Sequence, residues 1–203
     1  MTNLNYLYFV LLLSLIYILP TSSFYTSNGD YLSKHHLSTE LLNQTKQGDL
    51  FAVSQLLEQG ADPNSTYNYN NSILGIALFC KHYVIAELLL RLGADPNAQN
   101  VFGSAPLYAA VAQTDKTAVQ LLLRYNADPN IGDRLGNTPL HSAVYRGQPK
   151  IVQLLLNHGA NPYIQNIQGQ TAKTIAESQY LINYQARTML QKLLCTIEPK
   201  NNH

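Results

Sequence analysis

The chain has 203 residues and a formal charge of +1, from 13 Lys and Arg against 12 Asp and Glu. Only 12% of its residues are charged, about half the usual quarter. That balance supplies no basic field to gather phosphate backbones and argues against a nucleic-acid partner, while two cysteines are too few for a disulfide scaffold or a four-thiolate zinc site.

Leu7 to Leu19 form an uncharged apolar run that Pro20 ends. The run is short for a membrane span of about 20 residues but suits the core of a signal peptide. Thr21-Ser22-Ser23 then places small residues ahead of a cleavage point before Phe24. Residues 1–23 are therefore expected to be an export signal, making the protein secreted. An uncleaved N-terminal anchor tethered through residues 4–19, and a helix packed on the domain, are the alternatives; Met1 to Tyr6 carry no positive charge beyond the terminal amine. Residues 24–36, rich in Ser, Tyr, Asn and Gly, read as a linker.

The remainder is periodic. Gly60-Ala61-Asp62-Pro63-Asn64 recurs as Gly93-Ala94-Asp95-Pro96-Asn97, as Asn126-Ala127-Asp128-Pro129-Asn130 and as Gly159-Ala160-Asn161-Pro162-Tyr163, each time 33 residues on. Thr138-Pro139-Leu140-His141 shifts in step onto Ala105-Pro106-Leu107-Tyr108 and Ser72-Ile73-Leu74-Gly75. Ahead of each corner stands an apolar run with helical spacing, such as Ile85 to Leu90 and Ile151 to Leu156. In the best unit Thr138 is placed to cap a first helix whose first turn holds Pro139, and Gly147 suits the left-handed residue that ends it. Pro149 opens a second helix that Gly159 closes, with Ile151, Val152, Leu154, Leu155 and Leu156 expected to face inward.

The period, the Thr138-Pro139-Leu140-His141 box and the Gly-Ala-Asp corner resemble the ankyrin repeat family over about Leu37 to Leu194. The resemblance implies an all-α solenoid of stacked helix-turn-helix units with short β-turn fingers. The units fall at about 37–64, 65–97, 98–130 and 131–163, with a partial cap at 164–195 and a polar tail at 196–203. The first lacks the proline box, with Glu40 in the proline position, but keeps Thr39 and Gly48. The second has Ile73 for the proline and Gly75 for the histidine, which weakens the signal for the start of its first helix. The resemblance also implies that His141 bonds within its own turn, with Thr138 as partner. Asp62, Asp95 and Asp128 read as turn-formers bonding nearby backbone N–H groups.

No catalytic constellation emerges. There is no glycine-rich phosphate loop and no G-x-S-x-G elbow. His35 and His36 are adjacent, and His82, His141 and His158 occupy different positions of different units. Cys80 and Cys195 are three units apart, roughly 30 Å at about 10 Å per layer, beyond the ~7 Å reach of a disulfide. Neither enzymatic activity, a cofactor nor a metal is expected. Asn43-Gln44-Thr45 and Asn64-Ser65-Thr66 match glycosylation sequons.

A solenoid binds through its concave side, and the resemblance implies that finger tips and first helices make the contacts. The residues before the turn glycine are Tyr69, Phe102, Leu135 and Gln168, and those before them Asn68, Val101, Arg134 and Ile167. First helices add Phe79, Tyr145 and Arg146. Tyr69, Phe102, Leu135, Arg134, Phe79, Tyr145 and Arg146 are thus expected to form a protein-binding patch with two guanidinium anchors. The alternative is that each ring merely packs on the next finger. The expected function is a non-enzymatic, monomeric interaction module, a scaffold or adaptor; the alternative is an inhibitor that covers a partner enzyme's active site with its fingers.

Overall fold

In the computed structural model, residues 30–177 and 184–195 are described. The chain divides into two units, 1–33 and 34–203, and only residues 30–33 of the first are among those described. The expected export signal or anchor, residues 24–29 of the linker and the tail at 196–203 lie outside the described residues. Among the described residues no helix is long and apolar enough to cross a membrane.

The periodic sequence becomes helix pairs. They are α1 (Asp30–Gln47) with α2 (Leu50–Glu58), α3 (Ile73–Phe79) with α4 (Tyr83–Arg91), α5 (Pro106–Ala112) with α6 (Lys116–Arg124), α7 (Pro139–Tyr145) with α8 (Pro149–Asn157), and α9 (Ala172–Glu177) with α10 (Tyr184–Cys195). A two-residue hairpin precedes α3, pairing β1 (Thr66–Tyr67) with β2 (Asn71–Ser72) in antiparallel register. Helices α3, α5, α7 and α9 pack side by side as an inner layer, and α2, α4, α6, α8 and α10 as an outer one.

The core is a set of rows one period apart. Leu74, Leu107 and Leu140 run along the inner layer, while Val53, Ala86, Val119 and Val152 and then Leu89, Leu122 and Leu155 run along the outer one, all essentially solvent-free. Each large member contributes on the order of 1.5–3 kcal/mol of burial, but only because the next unit covers it. Of the five apolar residues expected inward on α8, Ile151, Val152 and Leu155 are buried, while Leu154 and Leu156 are half-buried at its edges.

One expectation is corrected at the N-terminal end. Residues 30–36 are helical rather than linker, and Thr39 lies inside α1. The physical reason is the absence of any stop: Leu37 stands where other units have the finger glycine, and Glu40 where they have proline, so one helix runs through. In the second unit, by contrast, α3 starts in register without its proline, because the Ser72 hydroxyl accepts from the Gly75 N–H at 3.1 Å.

Polar side chains fasten successive units. The Thr138 N–H donates to Nδ1 of buried His141 at 3.2 Å, so Nδ1 carries no proton, and Nε2–H donates to the Gln170 carbonyl of the next unit at 3.0 Å. His141 thus bonds within its turn, as the resemblance implied, and also bridges two units. At each corner the aspartate accepts from the backbone two residues on, Asp62 from Asn64, Asp95 from Asn97 and Asp128 from Asn130, each at 2.8 Å. The asparagine then accepts from the next corner's backbone: Asn64 from Asp95 at 2.8 Å, Asn97 from Asp128 at 2.8 Å and Asn130 from Asn161 at 2.7 Å. Tyr163 takes the asparagine's place in the fourth unit and ends the ladder.

Two stability outcomes follow from this packing. The buried Thr45 hydroxyl has no hydrogen-bond partner and stands in the row of Leu78, Val111 and Val144. Thr45→Val is expected to raise unfolding stability by about 1–2 kcal/mol, and a chemical melt showing loss would contradict the orphaned hydroxyl. Gly103 has φ +74°, and a Cβ there would lie 2.8 Å from the Arg134 nitrogen, whereas at Gly169, φ +71°, nothing lies within 4 Å. Gly169→Ala should lose only the left-handed penalty of about 1–2 kcal/mol, and Gly103→Ala clearly more; equal losses would show that the fingers do not press together.

Candidate protein-binding face

The finger tips are one continuous structure. Asn100, Asp133 and Asn166 stand at their bases, and each carboxylate or amide oxygen accepts two backbone N–H groups of its own turn at about 3.0 Å. Each finger then bonds to the one before. Val101 N–H donates to the Tyr69 carbonyl at 2.9 Å, Arg134 N–H to Phe102 at 3.2 Å, and Ile167 N–H to Leu135 at 2.9 Å. Asparagine amides add a second tie, Asn100 to Asn71 at 3.0 Å and Asn166 to Asn137 at 2.9 Å.

The side chains named from sequence are therefore fixed at their roots. The Tyr69 and Phe102 rings stack with centroids 5.9 Å apart and planes tilted 37°. They nonetheless remain 68% and 60% exposed. Packing on the next finger thus leaves most of each ring in solvent. Leu135 and Arg134 are also exposed at the following tip.

Phe79, Tyr145 and Arg146 are exposed too, but at the other end of the inner layer, where α3 and α7 finish. A seven-residue helix, about 10 Å long, separates this rim from the fingers. Half-buried Ala112 occupies the intervening position, so the Phe79 and Tyr145 rings stand two layers, roughly 20 Å, apart. The single patch expected from the sequence is in fact two rims, a finger rim of Tyr69, Phe102, Leu135 and Arg134 and a helix-end rim of Phe79, Tyr145 and Arg146, with the concave inner layer between them. Tyr67 is exposed and was not among the residues read from the sequence; Ile167, read there as a finger tip but not placed in the patch, is exposed too and extends the finger rim by one more tip. Its position one residue before Gln168 was the available signal.

Electrostatics on this face are set by few groups. Burial first, then the nearby Asp133 carboxylate, hold the Tyr108 phenol of α5 above the ordinary pKa, against the pull of the Arg146 guanidinium. The Lys46 ammonium sits 4.9 Å over the Tyr67 ring. Among the described residues no group of three or more His, Cys, Asp or Glu side chains could hold a metal ion. Cys80, immediately after α3, is a half-buried free thiol, and the Cys195 side chain lies outside the described residues. Thr45 of the first sequon is buried in α1, and Asn64 of the second uses both amide atoms in the corner ladder.

Residues 81–166 match the family model for ankyrin repeats, with three copies. No curated protein matches the sequence.

The ring stack is measurable. A double-mutant cycle on Tyr69→Ala and Phe102→Ala should return a coupling of about 0.5–1 kcal/mol in unfolding free energy. Strict additivity would mean that the rings do not pack in solution.

Proposed function

We propose that this chain, an ankyrin repeat protein with its family match at residues 81–166, is a non-enzymatic scaffold or adaptor that grips a protein partner between its two rims. Ankyrin repeats are protein–protein interaction modules, and stacked units present an extended surface of exposed side chains. The observation that carries the reading is the Tyr69–Phe102 pair, two aromatic rings held in place by their neighbours yet more than half exposed. Exposed aromatics in register with arginines are the residue types that anchor interfaces. The helix-end rim supplies the opposing set, Phe79, Tyr145 and Arg146.

We read the apolar run Leu7 to Leu19 as directing export, so the partner would be met outside the compartment of synthesis. An intact Met1 on natively expressed protein would overturn this second step without touching the first.

The binding reading is tested by pull-down with the full chain and with a Phe102→Ala/Tyr145→Ala variant. Both side chains are exposed, so the variant should melt within about 1 kcal/mol of the parent. Recovery of specific partners is expected to fall at least about tenfold, one anchor alone being worth 1.4 kcal/mol or more. Unchanged recovery of every partner would remove the proposal.

A further inference from the structure

The inner layer is not uniformly closed. The position after the box leucine is Gly75, Tyr108 and His141 in successive units, with Thr174 in the same register after Lys173. His141 reaches the next unit through the Gln170 carbonyl, and the Tyr108 phenol stands close enough to Asp133 of the next unit to feel its charge. Gly75 has no side chain to do so. Between α3 and α5 there is consequently a hollow of about 600 Å³, within the size range of ligand sites, ~300–1,000 Å³. Gly75, Ile76 and Phe79 form one wall, and Pro106 and Ala109 form part of the other.

The hollow is apolar inside, with one positive charge in its lining and two more cations nearby. Lys46 is its one charged lining residue, and no carboxylate lines it. Arg134 lies beside it, its stem against Gly103 next to the lining residue Ser104, and Arg146 is close enough to Tyr108 to act on that phenol. The acid near Tyr108, Asp133, is committed to the Leu135 and Asn137 N–H groups and to the Asn137 side-chain amide. Among the described residues the ion pairs are those of Arg91 and Arg124 with Glu87, so Lys46, Arg134 and Arg146 have none.

We propose that this hollow is a socket for one large apolar side chain of an acidic peptide segment in the partner protein, with Lys46, Arg134 and Arg146 taking the flanking carboxylates. The inference rests on the reading of this face as protein-binding and deepens it. Apolar walls remove the side chain from water, and Lys46 in the lining, with Arg134 and Arg146 nearby, selects acid over base on either side of it. The geometry makes Gly75 the specificity-determining residue, because any side chain there enters the space the anchor needs.

The test is a selection of phage-displayed random peptides on the full-length protein, with synthetic versions of the enriched sequences measured by fluorescence anisotropy. The expected result is peptides carrying Phe, Leu, Ile or Met flanked by Asp or Glu, with affinity falling as salt is raised. Gly75→His should weaken them at least about tenfold, as should Ala109→Leu, which fills the hollow from the opposite wall, while Lys46→Glu weakens acidic but not neutral sequences. Thermal melting shows which variants fold: a Cβ at Gly75 lies 3.3 Å from the Ser72 hydroxyl oxygen that caps α3, so Gly75→His requires that cap to shift by a few tenths of an ångström, and Ala109→Leu carries the test if it does not. Failure to enrich any peptide, enrichment of basic ones, or affinities unmoved by both filling variants would overturn the socket. If those affinities still collapse in Phe102→Ala/Tyr145→Ala, the face binds protein by its rims alone; if neither set of changes acts, both proposals fall.

Discussion

The whole array depends on one backbone constraint: in each of the three units between residues 65 and 163 the chain must turn through the left-handed region at the same three places, and the first and last units share part of that set. The turn after the inner helix does so at Gly48, Lys81, Thr114 and Gly147, with φ between +59° and +80°. The turn after the outer helix does so at Gly60, Gly93, Asn126 and Gly159, and the finger at Asn70, Gly103, Gly136 and Gly169. An L side chain is strained there, and Thr114, being β-branched, is strained most. It persists because its hydroxyl accepts from the buried Gln148 amide at 2.6 Å, a bond that ties the third unit to the fourth. Identical turns return the chain to the same orientation every 33 residues, and only then do rows such as Leu89, Leu122 and Leu155 meet.

Exact repetition also explains the unusual surface. A charged or amide side chain on most proteins is solvated, but here many are spent on backbone groups of the next unit. Asp95 holds Asn97, Asn97 holds Asp128, and the same pair of bonds is repeated along the corners. Asn100 and Asn166 do equivalent work in the fingers. Each such bond contributes only about 0.5–1.5 kcal/mol net, but the set fixes the stagger between units that the apolar rows alone would leave free to slide. A chain with 12% charged residues is therefore short of free charge where it is most ordered, and Lys46, Arg134 and Arg146 stand out against that background.

Much of this was legible in the sequence because it repeats. A spacing of 33 locates the helices, the box predicts the Thr138–His141 bond, and the corner motif predicts the aspartate turns. What repetition cannot reveal is what happens where a unit departs from it. The start of α1 at Asp30 was missed because it follows from an absence, no glycine at Leu37 and no proline at Glu40, and an absence gives no positive signal. The finger residues were found, but their separation from Phe79 and Tyr145 by a helix length needs three dimensions. Gly75 was visible as a departure from the box, yet a missing side chain becomes a hollow only when the facing wall also carries small residues, as it does at Ala105 and Ala109.

That departure bears on how stability and binding are divided along the array. Glycine in a helix interior is worse than alanine by about 0.5–1 kcal/mol, and Gly75 additionally forgoes the bridge that His141 supplies two units later. The second unit is thus weaker than its neighbours at the position where the inner layer is open. Its hairpin compensates: this finger has the paired strands, it is tied to the next by both the Tyr69 carbonyl and the Asn71 amide, and its ring stacks on Phe102. The result is a gap with rigid edges. A ligand entering it orders little that is not already ordered, so less of its binding energy is lost to fixing loops, and a modest apolar socket can discriminate between partners.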